Sequence, residues 1–162
     1  MEHNSIKNLV EILKSQVSHY SLIRDTLLCE KTAITSWDND KIKELSKTKE
    51  QLSKKEKLLE EARKTISLRI KEEYNLDDDT VLAIIEGIDD DKCQDELNQL
   101  RDELLVLVSQ ISQLTVSLKV IYNTNLKIIS DVKVKMGFVP AANKYGMDKS
   151  TVSMPSALQI TG

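Results

Sequence analysis

The sequence predicts an all-α fold: an elongated antiparallel three-helix bundle or coiled coil with a short linker helix and a mobile C-terminal tail. Three observations predict it. Helix breakers are scarce, with 4 Gly and 2 Pro in 162 residues, while Leu, Ile, Lys and Glu abound; that is the composition of long helices. Apolar residues recur at steps of three and four over most of the first half. From Leu97 to Val132 the repeat settles at 3.5 residues, the seam of a left-handed coiled coil.

The first helix is expected over about 4–36. Ile6, Leu9, Val10, Leu13, Val17, Tyr20, Ile23 or Leu22, and Leu27 form one apolar face, continued by Ile34, and Asn4 or Ser5 can cap the first turn. Trp37-Asp38-Asn39-Asp40 reads as a junction, with Asp38 as N-cap of a second helix over about 39–73. In that helix Leu45, Leu52, Leu59 and Ile66 hold one half of the seam. Lys49, Glu56 and Arg63 stand in the other half between Ile42 and Ile70. Their stems can lie on the seam while their heads stay wet. So thin a seam predicts packing on one side only.

Residues 75–79 break the pattern. Thr80 to Glu86 is short and apolar, ends at Gly87, and reads as a brief helix plugging one end of the bundle. Asp89-Asp90-Asp91 then caps the last helix, expected over about 91–136. Its seam runs Leu97, Leu100, Leu104, Leu107, Ile111, Leu114, Leu118, Ile121, Asn125, Ile128 and Val132, with Asn125 the one polar member. Residues 1–136 are thus expected to form the bundle and 137–162, with Gly137, Pro140, Gly146 and Pro155, a flexible tail.

Length adds a constraint. At ~1.5 Å per residue the first two helices span about 50 Å and the last about 65–70 Å. The last helix should overhang its partners by two or three turns carrying Ile128, Ile129, Val132, Val134 and Met136. Apolar residues without an intramolecular partner mark a binding surface. Homodimerisation through the same turns, or packing against the tail, would use them equally well.

Chemistry is sparse. His3 and His19 are the only histidines, and neither has a Cys or carboxylate pair at ligand spacing. The four glycines are isolated, so no phosphate loop exists. Counted from Asp77 or Asp89, the sixth position is Leu82 or Gln94 where a calcium loop needs Gly. No catalytic residue, metal or cofactor is expected. A net charge of -3 supplies no basic field for nucleic acid, and the Lys-rich stretch 47–57 is interrupted by Glu50 and Glu56. Cys29 and Cys93 form no CxxC pair and read as thiols of a reducing compartment. No continuous apolar run approaches the ~18 residues of a membrane span, and the polar start Met1-Glu2-His3-Asn4-Ser5 is unlike a signal peptide. A cytoplasmic protein with no membrane insertion is expected. The remaining signal is helix-in-groove interaction.

Glu30, Ala33-Ile34, Asp38, Ile42, Leu45, Lys49, Leu52 and Leu59-Glu60-x-x-Arg63 stand in an order that resembles the core pattern of the FlgN family. Thr80-Val81-Leu82 with Ile84-Ile85 resembles its linker helix. Asn123-x-Asn125-Leu126 before Ile128-Ile129, and Tyr145-Gly146, resemble its C-terminal elements more loosely. The resemblance covers about residues 5–146. It implies a cytoplasmic chaperone for hook-associated (hook–filament junction) proteins of the bacterial flagellum, which binds their C-terminal helices, prevents premature assembly and delivers them to the type III export gate. It also implies that binding lies late in the last helix and in the tail. Here that means Leu118, Ile121, Asn125, Ile128, Ile129, Val132 and Met136, with Tyr145 as a candidate for docking to the export apparatus. A structural coiled-coil scaffold, or an adaptor for another assembly, is the competing expectation.

Overall fold

The computed structural model describes residues 2–138, with side chains from Asn4 onward. Its described residues form four helices and no strand: α1 (Glu2–Thr35), α2 (Asn39–Tyr74), α3 (Val81–Gly87) and α4 (Asp91–Lys135). The chain is an all-α helical bundle. By its internal contacts it divides into two units, residues 1–119 and 120–162, and the division falls inside α4.

In the first unit, α1 and α2 form an antiparallel hairpin. Pairs along its length fix the register: Ser5 Oγ donates to Glu73 Oε1 (3.0 Å), Tyr20 Oη to Glu56 Oε1 (3.0 Å), and Lys49 Nζ to Glu30 Oε1 (2.6 Å). α4 runs beside α1 in the same direction, since Lys14 pairs with Glu96 (2.9 Å) and Arg24 Nη1 donates to Gln110 Oε1 (3.5 Å).

One end of this unit holds its main apolar cluster. Ile6, Leu9, Val10 and Leu13 of α1 meet Ile66 and Ile70 of α2, Leu97 and Leu100 of α4, and Ile84, Ile85 and Ile88 from α3 and the residue after it. α3 therefore closes that end, as its apolar run and Gly87 suggest. A Cβ at Gly87 would lie 2.2 Å from Leu76 Cδ2, so the glycine lets the loop before α3 pack against its end.

The charged half of the α2 seam does more than lie along it. Lys49 meets the buried carboxylate of Glu30, Glu56 accepts from Tyr20, and Arg63 pairs with Glu60 (2.7 Å), which also accepts from Gln16 (3.4 Å). These are specific pairs on the α1–α2 interface, because α1 presents Gln16, Tyr20 and Glu30 opposite them. Burial pushes the Glu56 carboxyl up, whereas the Arg63 guanidinium holds that of Glu60 down against its own burial.

His19 lies buried within this polar stretch, facing the Leu52 backbone. Burial lowers its pKa, a contact with the Leu52 backbone opposes the shift, and Lys55 adds to it. The folded ring therefore takes up its proton at a lower pH than the unfolded one, which protonates near pH 6.5. Its stabilising effect is therefore complete above about pH 6.5 and is lost as pH falls below it. Between pH 7 and 5 the Tm should fall, and His19→Leu should reduce that fall. Parallel melts of the two proteins across this range check it; equal slopes would remove His19 as the cause.

The caps explain the helix boundaries. α1 begins at Glu2, so Asn4 and Ser5 lie inside it and do not cap it; the buried Ser5 reaches across to Glu73 instead. Asp38 caps α2 by accepting from Lys41 N–H (3.0 Å), and Thr80 caps α3. Asp90 accepts from the N–H groups of Lys92 and Cys93, so the acidic run caps α4. At the end of α1, Trp37 takes φ 57°, with Trp37 N–H bonded to Ile34 O (3.3 Å) and Asp38 N–H to Ala33 O (2.9 Å). This is a Schellman stop with Trp where Gly is usual. Its left-handed backbone costs about 1 kcal/mol for an L side chain. Trp37 is half exposed, so Trp37→Gly should raise the Tm by about 2–3 °C. Calorimetry checks this; a lower Tm would mean that the indole contributes more than the strain costs.

Candidate protein-binding surface

α4 carries the candidate surface because its apolar seam does not stop where burial stops. Leu97, Leu100, Leu107, Ile111 and Leu118 are buried in the first unit. The same steps of three and four continue through Ile121, Asn125, Ile128, Val132 and Met136. One row of side chains is thus covered early in the helix and open later in it.

The expected binding residues divide accordingly. Leu118 is 3% exposed and belongs to the core of the first unit. Ile121 and Asn125 are half-buried. Ile128 (48%), Val132 (47%) and Met136 (66%) are exposed, and Ile129 is exposed beside them. Every residue from Leu126 to Phe138 is exposed. Leu126, Val134 and Phe138 add apolar surface. The seam rule passed over Leu126 because it lies off the row, and over Phe138 because it follows Gly137. Tyr145 lies outside the described residues, as does the expected tail from residue 139.

The end of the surface is fixed by backbone chemistry. Gly137 takes φ +75°. Gly137 N–H bonds to Val134 O (3.1 Å) and Phe138 N–H to Lys133 O (2.9 Å), a second Schellman stop. Lys133 and Lys135 occupy the last turn, where cations suit the negative helix end. Between residues 120 and 138 three lysines stand against one aspartate. The surface is therefore an apolar row with basic flanks, suited to an amphipathic helix with acidic edges.

Among the described residues no three His, Cys, Asp or Glu side chains converge as a metal site. A hollow of about 570 Å³ beside Ile6, Tyr74 and Cys93 is edged by Asp89, Asp90 and Asp91 at the start of α4. Burial pushes the Cys93 thiol up, which makes it a poor nucleophile. By length and composition alone, α4 contains a window apolar enough to cross a membrane. Ser, Gln, Thr and Lys119 interrupt its apolar residues, so it holds no continuous apolar run.

Comparison with curated proteins and with solved structures gave no match. The family model described as FlgN protein matches residues 1–153. That span takes in the Glu30–Lys49 clasp, the Asp38 cap, the α3 plug and the whole of α4. The chain belongs to the FlgN family, a family of flagellar export chaperones.

Proposed function

We propose that this protein is a cytoplasmic chaperone that holds the C-terminal helices of hook-associated proteins on the row Ile121–Met136 and delivers them to the type III export gate. The observation that carries this reading is the continuation of the core seam of α4 onto exposed Ile128, Val132 and Met136. A terminal helix of a junction protein is apolar on one face until it meets its neighbours in the filament. The open row supplies a temporary partner for that face, and the lysines beside it favour acidic edges on the client. Export requires release, so affinity should be moderate, with Kd near 0.1–1 µM, or about 8–10 kcal/mol. Tyr145 is the candidate contact for the export gate.

The test is co-purification of the full chain with the isolated C-terminal segments of the hook-associated proteins from the same organism. A 1:1 complex that disappears when the client's last helix is deleted supports the chaperone reading. Failure to capture any of these segments, with the chain fully folded, would favour a scaffold.

A further inference from the structure

α2 keeps one whole side bare. Its core side carries the buried Leu45, Leu52, Ile66, Ser67 and Ile70. The opposite side, half a helical turn away, is exposed and carries Lys43, Lys47, Lys54, Lys57, Lys64 and Arg69. Glu56, which interrupts the Lys-rich stretch in the sequence, turns inward to Tyr20. Between positions 43 and 69 only Glu50 and Glu61 stay on the outer side among the cations. The net charge of the chain is -3, yet this side is locally basic. The acidic runs Asp77-Asp78-Asp79 and Asp89-Asp90-Asp91 stand beyond the end of α2. Lys54 meets Glu50 (3.0 Å), Lys64 lies 3.9 Å from Glu60, and Arg69 meets Glu73 (2.8 Å). Exposed pairs one turn apart hold their partners weakly, and Lys47 and Lys57 stand outside them.

Two large apolar side chains share this side. Leu58 is 66% exposed and Leu68 50% exposed, with exposed Thr65 between them. The bundle core does not use them. The hollow beside Ile6 and Tyr74 and the one between α1 and α4 both lie elsewhere. The outer side of α2 is therefore a convex ridge, about 40 Å long from Lys43 to Arg69, with no groove for a partner's side chains to enter. A ridge of ammonium groups with protruding leucines matches a plane of negative charge that is soft and apolar just beneath.

We propose that this side of α2 is a peripheral docking surface for an anionic phospholipid bilayer. α2 lies along the membrane plane, its lysines meet the headgroup phosphates, and Leu58 and Leu68 enter the headgroup layer. The long lysine stems let the ammonium groups stay among the phosphates while the leucines go deeper. No segment crosses the bilayer. Each cation near such a surface contributes roughly fivefold to partitioning, so a small local excess gives reversible adsorption that salt weakens. The exposed row Ile128–Met136 is not used, and adsorption does not depend on a client. It holds a chaperone of exported proteins on the plane where export takes place.

Co-sedimentation of the full chain with vesicles of equimolar phosphatidylglycerol and phosphatidylcholine, against vesicles of phosphatidylcholine alone, tests this without any client. The expected result is binding to the anionic vesicles only, falling about tenfold or more between about 50 and about 500 mM salt. Lys47→Glu, Lys54→Glu and Lys57→Glu together should reduce binding about 100-fold, and the same three positions as Gln should reduce it less. Leu58→Gln should reduce it by about fivefold. All these substitutions fall on exposed positions, and circular dichroism should show unchanged helicity. The pair Ile128→Ala and Val132→Ala should leave adsorption as it is. Absence of binding to the anionic vesicles would overturn the proposal. Binding that ignores the lysine changes, or that is lost with the α4 pair, would also overturn it and assign the lipid contact to α4. Retention on immobilised polyglutamate without vesicle binding would overturn it too and assign the ridge to an acidic polypeptide.

Discussion

Replacing Ile128 and Val132 together with Asp should raise the Kd for a client C-terminal helix by at least about 100-fold. Burying each aliphatic side chain in a complex contributes about 1.5–3 kcal/mol, and a carboxylate in the same place adds a desolvation cost. Both residues are about half exposed in the chain alone, so the bundle should lose little. One complication is the helix end. Asp near a C-terminus is opposed by the helix dipole by about 0.3–1 kcal/mol and could fray the last turns. The pair Ile128→Ala and Val132→Ala separates the two effects, since Ala raises helix propensity while removing apolar area. It should still weaken binding by about tenfold. Isothermal calorimetry gives the affinities and circular dichroism the helicity. Undiminished affinity in both double variants would move the client site away from this row, and global unfolding of the Asp pair would make the residues core.

Lys49→Ala should destabilise the chain by about 2–3 kcal/mol, a fall in Tm of about 8 °C. The reason is its partner. Glu30 is buried on α1, and the Lys49 ammonium 2.6 Å away supplies its countercharge. Removing one member of a fully buried pair costs about 3–5 kcal/mol. Lys49 keeps 38% of its side chain in water, and Glu30 would lose its nearest cation but not all its polar surroundings, which puts the expected loss below that range. Replacing both residues with Met should recover most of the stability, because the pair as a whole offsets little more than its own desolvation. Thermal melts of the single and double variants form the cycle. A single variant as stable as the parent would mean that water or another group solvates Glu30.

These two predictions fall on different kinds of residue. The positions that carry the family likeness are mostly structural here. Glu30 and Lys49 clasp the hairpin, Ala33 and Ile34 are buried beside the turn, Asp38 caps α2, and Glu60 and Arg63 pair on the α1–α2 interface. The residues proposed to hold a client belong to an ordinary aliphatic row. The family pattern therefore identifies the architecture more sharply than the contact surface.

Much of the fold was legible because helices announce themselves locally. The periods of three and four, the Asp38 and Thr80 caps and the Gly87 break each depend on neighbours within a turn or two. Three features were not legible in the same way. Trp37 stands where a stop normally has Gly, so no turn chemistry marked it. Lys49 and Glu56 looked like solvated interruptions of a seam, because their partners Glu30 and Tyr20 are named only when α1 lies alongside, and Arg63 and Glu60, one turn apart on α2, meet Gln16 only then. His19 gave no sign that it would be buried.

The candidate surface divides along the same line. By itself the sequence determined that the last helix carries one row from Leu97 to Val132, apolar except at Asn125, since spacing along a helix is fixed by its 3.6-residue turn. Only the tertiary structure decided that Leu118 is covered while Ile128, Val132 and Met136 are open. Periodicity gives the direction in which a side chain points; whether anything stands there to meet it depends on residues far away in the chain.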